Sequence, residues 1–232
     1  MEPQPPLGAT FSDFGQDRWV VDEVFGRDLS QGYKGFFIEA GAATGLEASN
    51  TYLLEVQYGW TGLLVEPNAH FFEHLRQRRR AHCARAVLSD ADGLIEFIEA
   101  GYLGVAPDHV RSIFEAKGLD LYEHASYRSD ANGTPATRSM LPARTLRSLL
   151  AEIGSPSVID YFSLDVEGGE LAVLKGFPFE THKIRALTIE TRYLHDGVML
   201  DHAHRQPCRD LLESHGMRLV RTVHVDDFYL AE

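Results

Sequence analysis

Apolar residues along this chain keep two rhythms that alternate. Short, mostly apolar runs at Phe36–Ile38, Thr61–Val65, Cys83–Leu88, Ile159–Leu164 and Ile184–Ile189 have the length and the aromatic or β-branched content of buried strands. Between them the apolar positions spread to helical spacing. Val20, Val21, Val24 and Phe25 share one side of a helix over Phe14–Phe25, a second helix runs Ala48–Tyr58, and Phe71, Phe72 and Leu75 mark a third. Leu146, Leu149, Leu150 and Ile153 recur at i, i+3, i+4, i+7, the stripe of a helix packed on a sheet. Shorter helical stretches follow at Glu170–Lys175 and around Leu211 and Leu212. Strands that alternate with helices imply a parallel sheet covered on both faces, an α/β fold. Two last strands, Met217–Val223 and Asp226–Leu230, lie too close for a helical crossover and are expected to pair antiparallel. Leu94–Ile98 reads as a further strand after the Asp92-Gly93 turn.

The rhythm breaks once. Between Gly101 and Met140 a helix is expected over Pro107–Lys117, with proline at its start and Gly118 past its end. Ser126–Ser139 is polar and carries an Asn-Gly turn. An insertion of this length is expected to be a lid or substrate region, which Tyr102, Tyr122 and Tyr127 either line or pack within. Residues 1–10 read as a loose tail and 11–232 as a single domain.

Composition narrows the function. A net charge of −12 argues against a nucleic-acid binder, which needs basic surface. Arg76, Arg78, Arg79 and Arg80 crowd the end of the third helix, where basic side chains offset the helix dipole. No run is long enough to span a membrane, and the first residues lack the basic and apolar regions of a signal peptide. Cys83 and Cys208, far apart in sequence, are read as reduced thiols of a cytoplasmic protein. Whether copies of the chain form a homo-oligomer is left open.

Chemistry collects at the strand ends. The first strand empties into Glu39-Ala40-Gly41-Ala42-Ala43-Thr44-Gly45, a flexible turn where the backbone can approach a ligand. Glu39, Glu66, Asp90, Asp165 and Glu190 each close a different strand, so a parallel sheet would bring five acids to one rim. Such a rim repels itself unless a cation lies within it, either a metal ion or an organic ammonium or sulfonium. Glu66, about twenty residues past the glycine turn, stands where a carboxylate accepts hydrogen bonds from a ribose diol. The glycines read Gly-x-x-x-Gly, not Gly-x-Gly-x-x-Gly, and an acid beside the turn disfavours a pyrophosphate. Adenosine joined to a positive amino-acid end, as in S-adenosylmethionine, fits better.

Phe14-Gly15-Gln16-Asp17, Phe37-Ile38-Glu39-Ala40-Gly41-Ala42, Ser49-Asn50-Thr51, Leu64-Val65-Glu66-Pro67 and Leu164-Asp165-Val166-Glu167-Gly168 together resemble the FkbM family of S-adenosylmethionine-dependent methyltransferases. The resemblance implies a Rossmann-like, seven-stranded methyltransferase sheet and O-methylation of a hydroxyl on a natural product or sugar. It sets Glu39, Gly41 and Ala42 of the turn against the methionine end of the cofactor, with Asn50 steadying the turn; Gln16 either contacts the cofactor or belongs to an N-terminal capping turn. It sets Glu66 at the ribose and Ser89 and Asp90 at the adenine, and Pro67 and Asp165 are expected among the cofactor-binding residues.

A methyl transfer asks the protein to hold the acceptor oxygen in line and to take its proton. Asp165, Glu167 and Glu190 are the candidate bases, and Asp165 with Glu190 could bind a divalent cation such as Mg2+ through oxygen ligands. Glu167 and Glu170 equally suit a helix N-terminus. His195, His202 and His204 lack helical metal-ligand spacing and read as solvated loop histidines, with His195 close enough to Glu190 to reach the site. The expected partner is a small hydroxylated acceptor. The competing readings are an NAD-linked oxidoreductase and a non-catalytic cofactor-binding module.

Overall fold

The computed structural model describes residues 8–99, 104–110, 136–195 and 198–232, with backbone alone at 193–195 and 198–200. Its strands are β1 (Phe36–Ala40), β2 (Thr61–Val65), β3 (His82–Ala84), β4 (Val87–Leu88), β5 (Gly93–Glu99), β6 (Thr137–Arg144), β7 (Val158–Leu164), β8 (Lys183–Glu190), β9 (Arg192–His195), β10 (Val198–Asp201), β11 (Met217–Val223) and β12 (Asp226–Ala231). The main sheet has seven strands in the order β11-β12-β8-β7-β1-β2-β3. Pairing is parallel from β8 through β3, and β12 joins β8 antiparallel as the inner arm of the terminal hairpin.

Period-two alternation sorts the core. In β1, Phe36, Ile38 and Ala40 face one layer with Phe162, Leu164 and Leu187, covered by helices Leu146–Ile153, Glu170–Lys175 and Arg205–Ser214. Phe37 faces the other with Leu64, Tyr161 and Phe228, covered by Trp19–Val24, Tyr52–Tyr58 and Ala69–Arg78. Side chains of a strand point alternately to opposite faces, so one five-residue strand serves both layers.

Several expectations need correction. The run Cys83–Leu88 is not one strand. His82–Ala84 pairs with β2, whereas Val87–Leu88 leaves for a second sheet, ordered β4-β6-β5, and pairs parallel with Ala143–Arg144. Continuous hydrophobicity marks burial but cannot show a change of sheet. The polar end of the expected loop, from Thr137 on, is the edge-to-edge partner of Gly93–Glu99. Within the expected helix Pro107–Lys117, a helical stretch covers 107–110 and the rest lies outside the described residues, as do Tyr102, Tyr122 and Tyr127. The expected histidine loop contains an antiparallel hairpin, β9 with β10. The first helix, expected over Phe14–Phe25, is α-helical at Gln16–Arg18 and π-helical at Trp19–Val24. The second starts at Tyr52, because Ser49, Asn50 and Thr51 are held in a turn by Glu39. No helix among the described residues is long and apolar enough to cross a membrane.

Candidate active site

A cavity of about 460 Å³ opens at the carboxyl ends of β1, β2 and β7. This is where ligands of open α/β sheets bind, and the volume suits a molecule of nucleoside size. Glu39, Gly41, Ala42, Asn50, Glu66, Pro67, Asp165 and Glu167 all line it. Its far wall is apolar, with Phe71, Val87, Leu88 and Phe97, and His109 and Gly104 from the inserted region complete it.

Four of the five strand-end acids do share one rim, on the neighbouring strands β2, β1, β7 and β8. Asp90 does not, because its strand belongs to the second sheet. Ser89 and Asp90 border a separate cavity of about 560 Å³, and Asp90 is exposed there. Ser89 Oγ lies 3.2 Å from His109 Nε2, which makes His109 the wall between the two spaces. Burial depresses the basicity of that imidazole. Gln16 is also outside the main cavity. Its amide donates to Asp226 Oδ2 at 2.5 Å, and its Oε1 accepts from the Phe14 N–H, tying the N-terminal segment to the terminal hairpin.

Glu39 is buried and saturated. It accepts from Ser49 Oγ, Thr51 Oγ1 and the Asn50 N–H, and Arg79 Nη1 lies 3.4 Å away. Arg79 also pairs with Glu55 and packs over the Phe37 and Tyr52 rings. It is therefore not one of the dipole-balancing arginines at a helix end. It is the buried counterion of the first turn, a role that tertiary packing assigns and local sequence conceals. Asn50 donates to Ser163 Oγ, while its Oδ1 is buried with no hydrogen-bond partner.

Glu66 presents a buried carboxylate whose two oxygens accept the N–H groups of Ala43 (2.9 Å) and Asn68 (2.7 Å). Burial outweighs these bonds and raises its pKa to about 7. Ala43 adopts a positive φ of 44° to aim its N–H this way. Gly41, at φ 83°, has no substitute: a Cβ there would sit 1.8 Å from the Asp165 carbonyl oxygen.

On the other half of the rim the acids face one another. Asp165, exposed to the cavity yet walled in by protein, has a carboxylate oxygen within 4.8 Å of one on Glu190 and one on Glu170. Burial, with the Glu170 charge next, raises Asp165 to about 6. Burial and the charges of Asp165, Glu167 and Glu170 push Glu190 well above the carboxylate range. Of the two, Glu190 is raised further and is the more readily protonated. Asp226 stands opposite Glu190 across the β8–β12 ladder, and burial, then Asp165, raises it to about 7. Asp226 carries no local signal in the sequence beyond that of a residue opening a hairpin strand. The side chain of His195 lies outside the described residues; its backbone ends β9.

A parallel sheet of this order, closed by an antiparallel hairpin and carrying an acid-lined cavity at its strand ends, is a Rossmann-like methyltransferase architecture. The profile of the methyltransferase FkbM domain matches residues 39–219, and the chain belongs to that family. No curated protein matches the chain. Solved structures of similar fold include the METTL16 MTase domain, 13% identical with a TM-score of 0.45, covering 93% of this chain and 65% of that one. Magnesium protoporphyrin IX methyltransferase (ChlM) from Synechocystis PCC 6803, with bound SAH, is 12% identical with a TM-score of 0.42, covering 100% of this chain and 90% of that one. Precorrin-6y C5,15-methyltransferase from Geobacter metallireducens GS-15 is 10% identical with a TM-score of 0.37, covering 89% and 86%. This chain spans less than two thirds of the METTL16 domain structure's length.

Proposed function

We propose that this chain transfers a methyl group from S-adenosylmethionine to a hydroxyl oxygen of a small acceptor, a natural product or sugar. The observation that carries the reading is one cavity at the strand ends, lined by the buried carboxylate of Glu66 on one side and by Asp165 on the other, with a carboxylate oxygen of Glu190 within 4.8 Å of Asp165's. The residues present fit the cofactor. Glu66 has acceptor capacity left for a ribose diol after its two backbone bonds. The apolar wall at Phe71, Leu88 and Phe97 suits a flat base, and the orphan Oδ1 of Asn50 is an acceptor for an ammonium group. S-adenosylmethionine supplies an electrophilic methyl group when bound.

The chain's own work is to orient and to move one proton. Asp165, with a pKa of about 6, is ionised at neutral pH yet basic enough to receive a hydroxyl proton as the oxygen attacks. Glu190 donates to Asp165 and fixes its orientation, and Glu167 lines the same end of the cavity. Gly104, Ala106 and His109 in the cavity wall support a reading of the inserted region as contributing to the acceptor side of this single domain. A second reading has Asp165 and Glu190 hold Mg2+, favoured by the unpartnered Oε2 of Glu190. A cytoplasmic setting is supported by the two free cysteines, and a non-nucleic-acid acceptor by the acidic charge.

Calorimetric titration with S-adenosylmethionine and, separately, NADH tests the cofactor. Saturable S-adenosylmethionine binding is expected, and tight binding of NADH alone would end the reading. Mass spectrometry over a panel of hydroxylated acceptors, with and without Mg2+, then scores methyl gain on oxygen and separates the proton-acceptor reading from the metal reading.

A further inference from the structure

Behind the acid pair lies a second cluster that methyl transfer does not use. Glu170 is wholly buried at the start of its helix, with Oε1 accepting the N–H groups of Val166 and Gly168. Its Oε2 sits 2.8 Å from His204 Nε2 but makes no hydrogen bond of good direction there. His204 is itself buried, and its Nε2 lies 3.3 Å from His202 Nδ1, with the two rings perpendicular. The three donor atoms fall within 4.8 Å of one another. These histidines are therefore not solvated loop side chains, as sequence spacing implied. Their spacing came from a turn that folds back onto a helix, which no helical i, i+4 rule describes.

We propose that Glu170, His202 and His204 form a binding site for a divalent transition-metal ion of the zinc type. Two imidazoles and one carboxylate are a donor set that such ions favour, and it leaves a coordination position open. The separation of the imidazole nitrogens agrees with the edge of a tetrahedron around an ion at roughly 2.0–2.1 Å from each, which is about 3.3 Å. Without an ion, two ring nitrogens at that distance can share only a single proton. An independent feature supplies access. His204 lines the second cavity, whose rim carries the exposed carboxylates of Asp90, Asp92 and Asp108. An acidic mouth leading to imidazole donors concentrates a cation on its way in. Charge supplies the drive, because Asp165 and Glu190 offer carboxylate oxygens within 4.8 Å of Glu170's, and a divalent ion offsets that crowding. The ion would join the helix Glu170–Lys175 to the segment after β10 and so brace the wall behind Asp165.

The test uses the full chain after chelator treatment, titrated with Zn2+ by calorimetry and with Co2+ by visible absorption. One equivalent is expected to bind, with the intense bands of low-coordinate Co2+. His202→Ala should weaken affinity by at least about tenfold, as loss of a ligand exceeds the loss typical of its supporting partners. His74→Ala should change nothing, although it breaks the i, i+4 pair of His70 and His74 on an outer helix. Loss of binding in His74→Ala overturns the proposal, as does displacement of Zn2+ by a modest excess of Mg2+. Equal Zn2+ affinity in His202→Ala and the unaltered chain overturns it too. If His202→Ala fails to fold, the Co2+ spectrum of the unaltered chain decides, because water-like six-coordinate bands contradict imidazole ligation. None of these readouts depends on methyl transfer, so either proposal can fail alone.

Discussion

The two halves of the rim hold similar acids under opposite conditions. On β1 and β2, Glu39 and Glu66 meet donors from their own chain: hydroxyls, backbone N–H groups and, for Glu39, the buried Arg79. On β7 and β8, Asp165 and Glu190 meet chiefly each other, with Glu167, Glu170 and Asp226 close behind. The first half is a scaffold in which charge has been matched during folding. The second is unmatched charge held in place by the fold, and unmatched charge is what can bind a proton or a cation. Substitutions that trade one condition for the other should therefore cost stability on the first half and turnover on the second.

The largest effect is expected from Arg79→Met. It would leave Glu39 and Glu55 buried without their cation, and breaking a buried pair on one side costs about 3–5 kcal/mol. Denaturant unfolding should show that loss, and a near-neutral result would mean that the hydroxyl and N–H donors alone suffice for Glu39. Gly41→Ala comes next, because Gly41 is where the two halves touch. The added methyl would collide with the Asp165 carbonyl in a backbone conformation that disfavours side chains, for about 3 kcal/mol in combined strain and overpacking. Its melting temperature should fall clearly below that of Gly154→Ala, where a Cβ meets no atom within 4 Å in a similar left-handed conformation.

These two sites show what could be read without a structure. The alternation of strands and helices, the terminal hairpin and the acids at four strand ends were legible, because burial and periodicity are written locally. Gly41 was legible as a glycine that the turn requires. Arg79 was not, because its sequence neighbours are surface arginines and its partners lie 24 and 40 residues away. The split at Arg85-Ala86 was hidden by an apolar run that serves two sheets in succession. The turn at Ser49–Thr51 resembled a helix start, since the same side chains that cap helices were satisfying Glu39 instead.

Asp165→Asn should act on the other half. It removes the candidate base and one charge from the crowded acids, so turnover should drop about a hundredfold, the lower range for loss of a general base. Stability should hold or rise, because repulsion with the Glu170 charge is relieved and the amide oxygen can still accept from Glu190. A variant that unfolds while retaining turnover per folded molecule would place Asp165 with the scaffold and erase the contrast between the halves.

The smallest effect, and the sharpest on the boundary, belongs to Glu66, which has donors but no cation. Its folded pKa of about 7 lies above the ordinary carboxylate value, so the folded chain binds the extra proton. The stability this proton confers is complete below the unfolded pKa and is lost as pH rises through about 7. Cofactor affinity should run the other way. A ribose diol donates hydrogen bonds, so the ionised carboxylate is the better partner, and the dissociation constant should weaken about tenfold between about pH 8 and about pH 6. Glu66→Gln should flatten that profile at the weaker level and abolish the loss of cofactor-free stability through about pH 7, while its NH2 group leaves one of the two backbone N–H groups without an acceptor. An unchanged pH profile in Glu66→Gln would show that the ribose is held elsewhere and that Glu66, like Glu39, only fastens the turn.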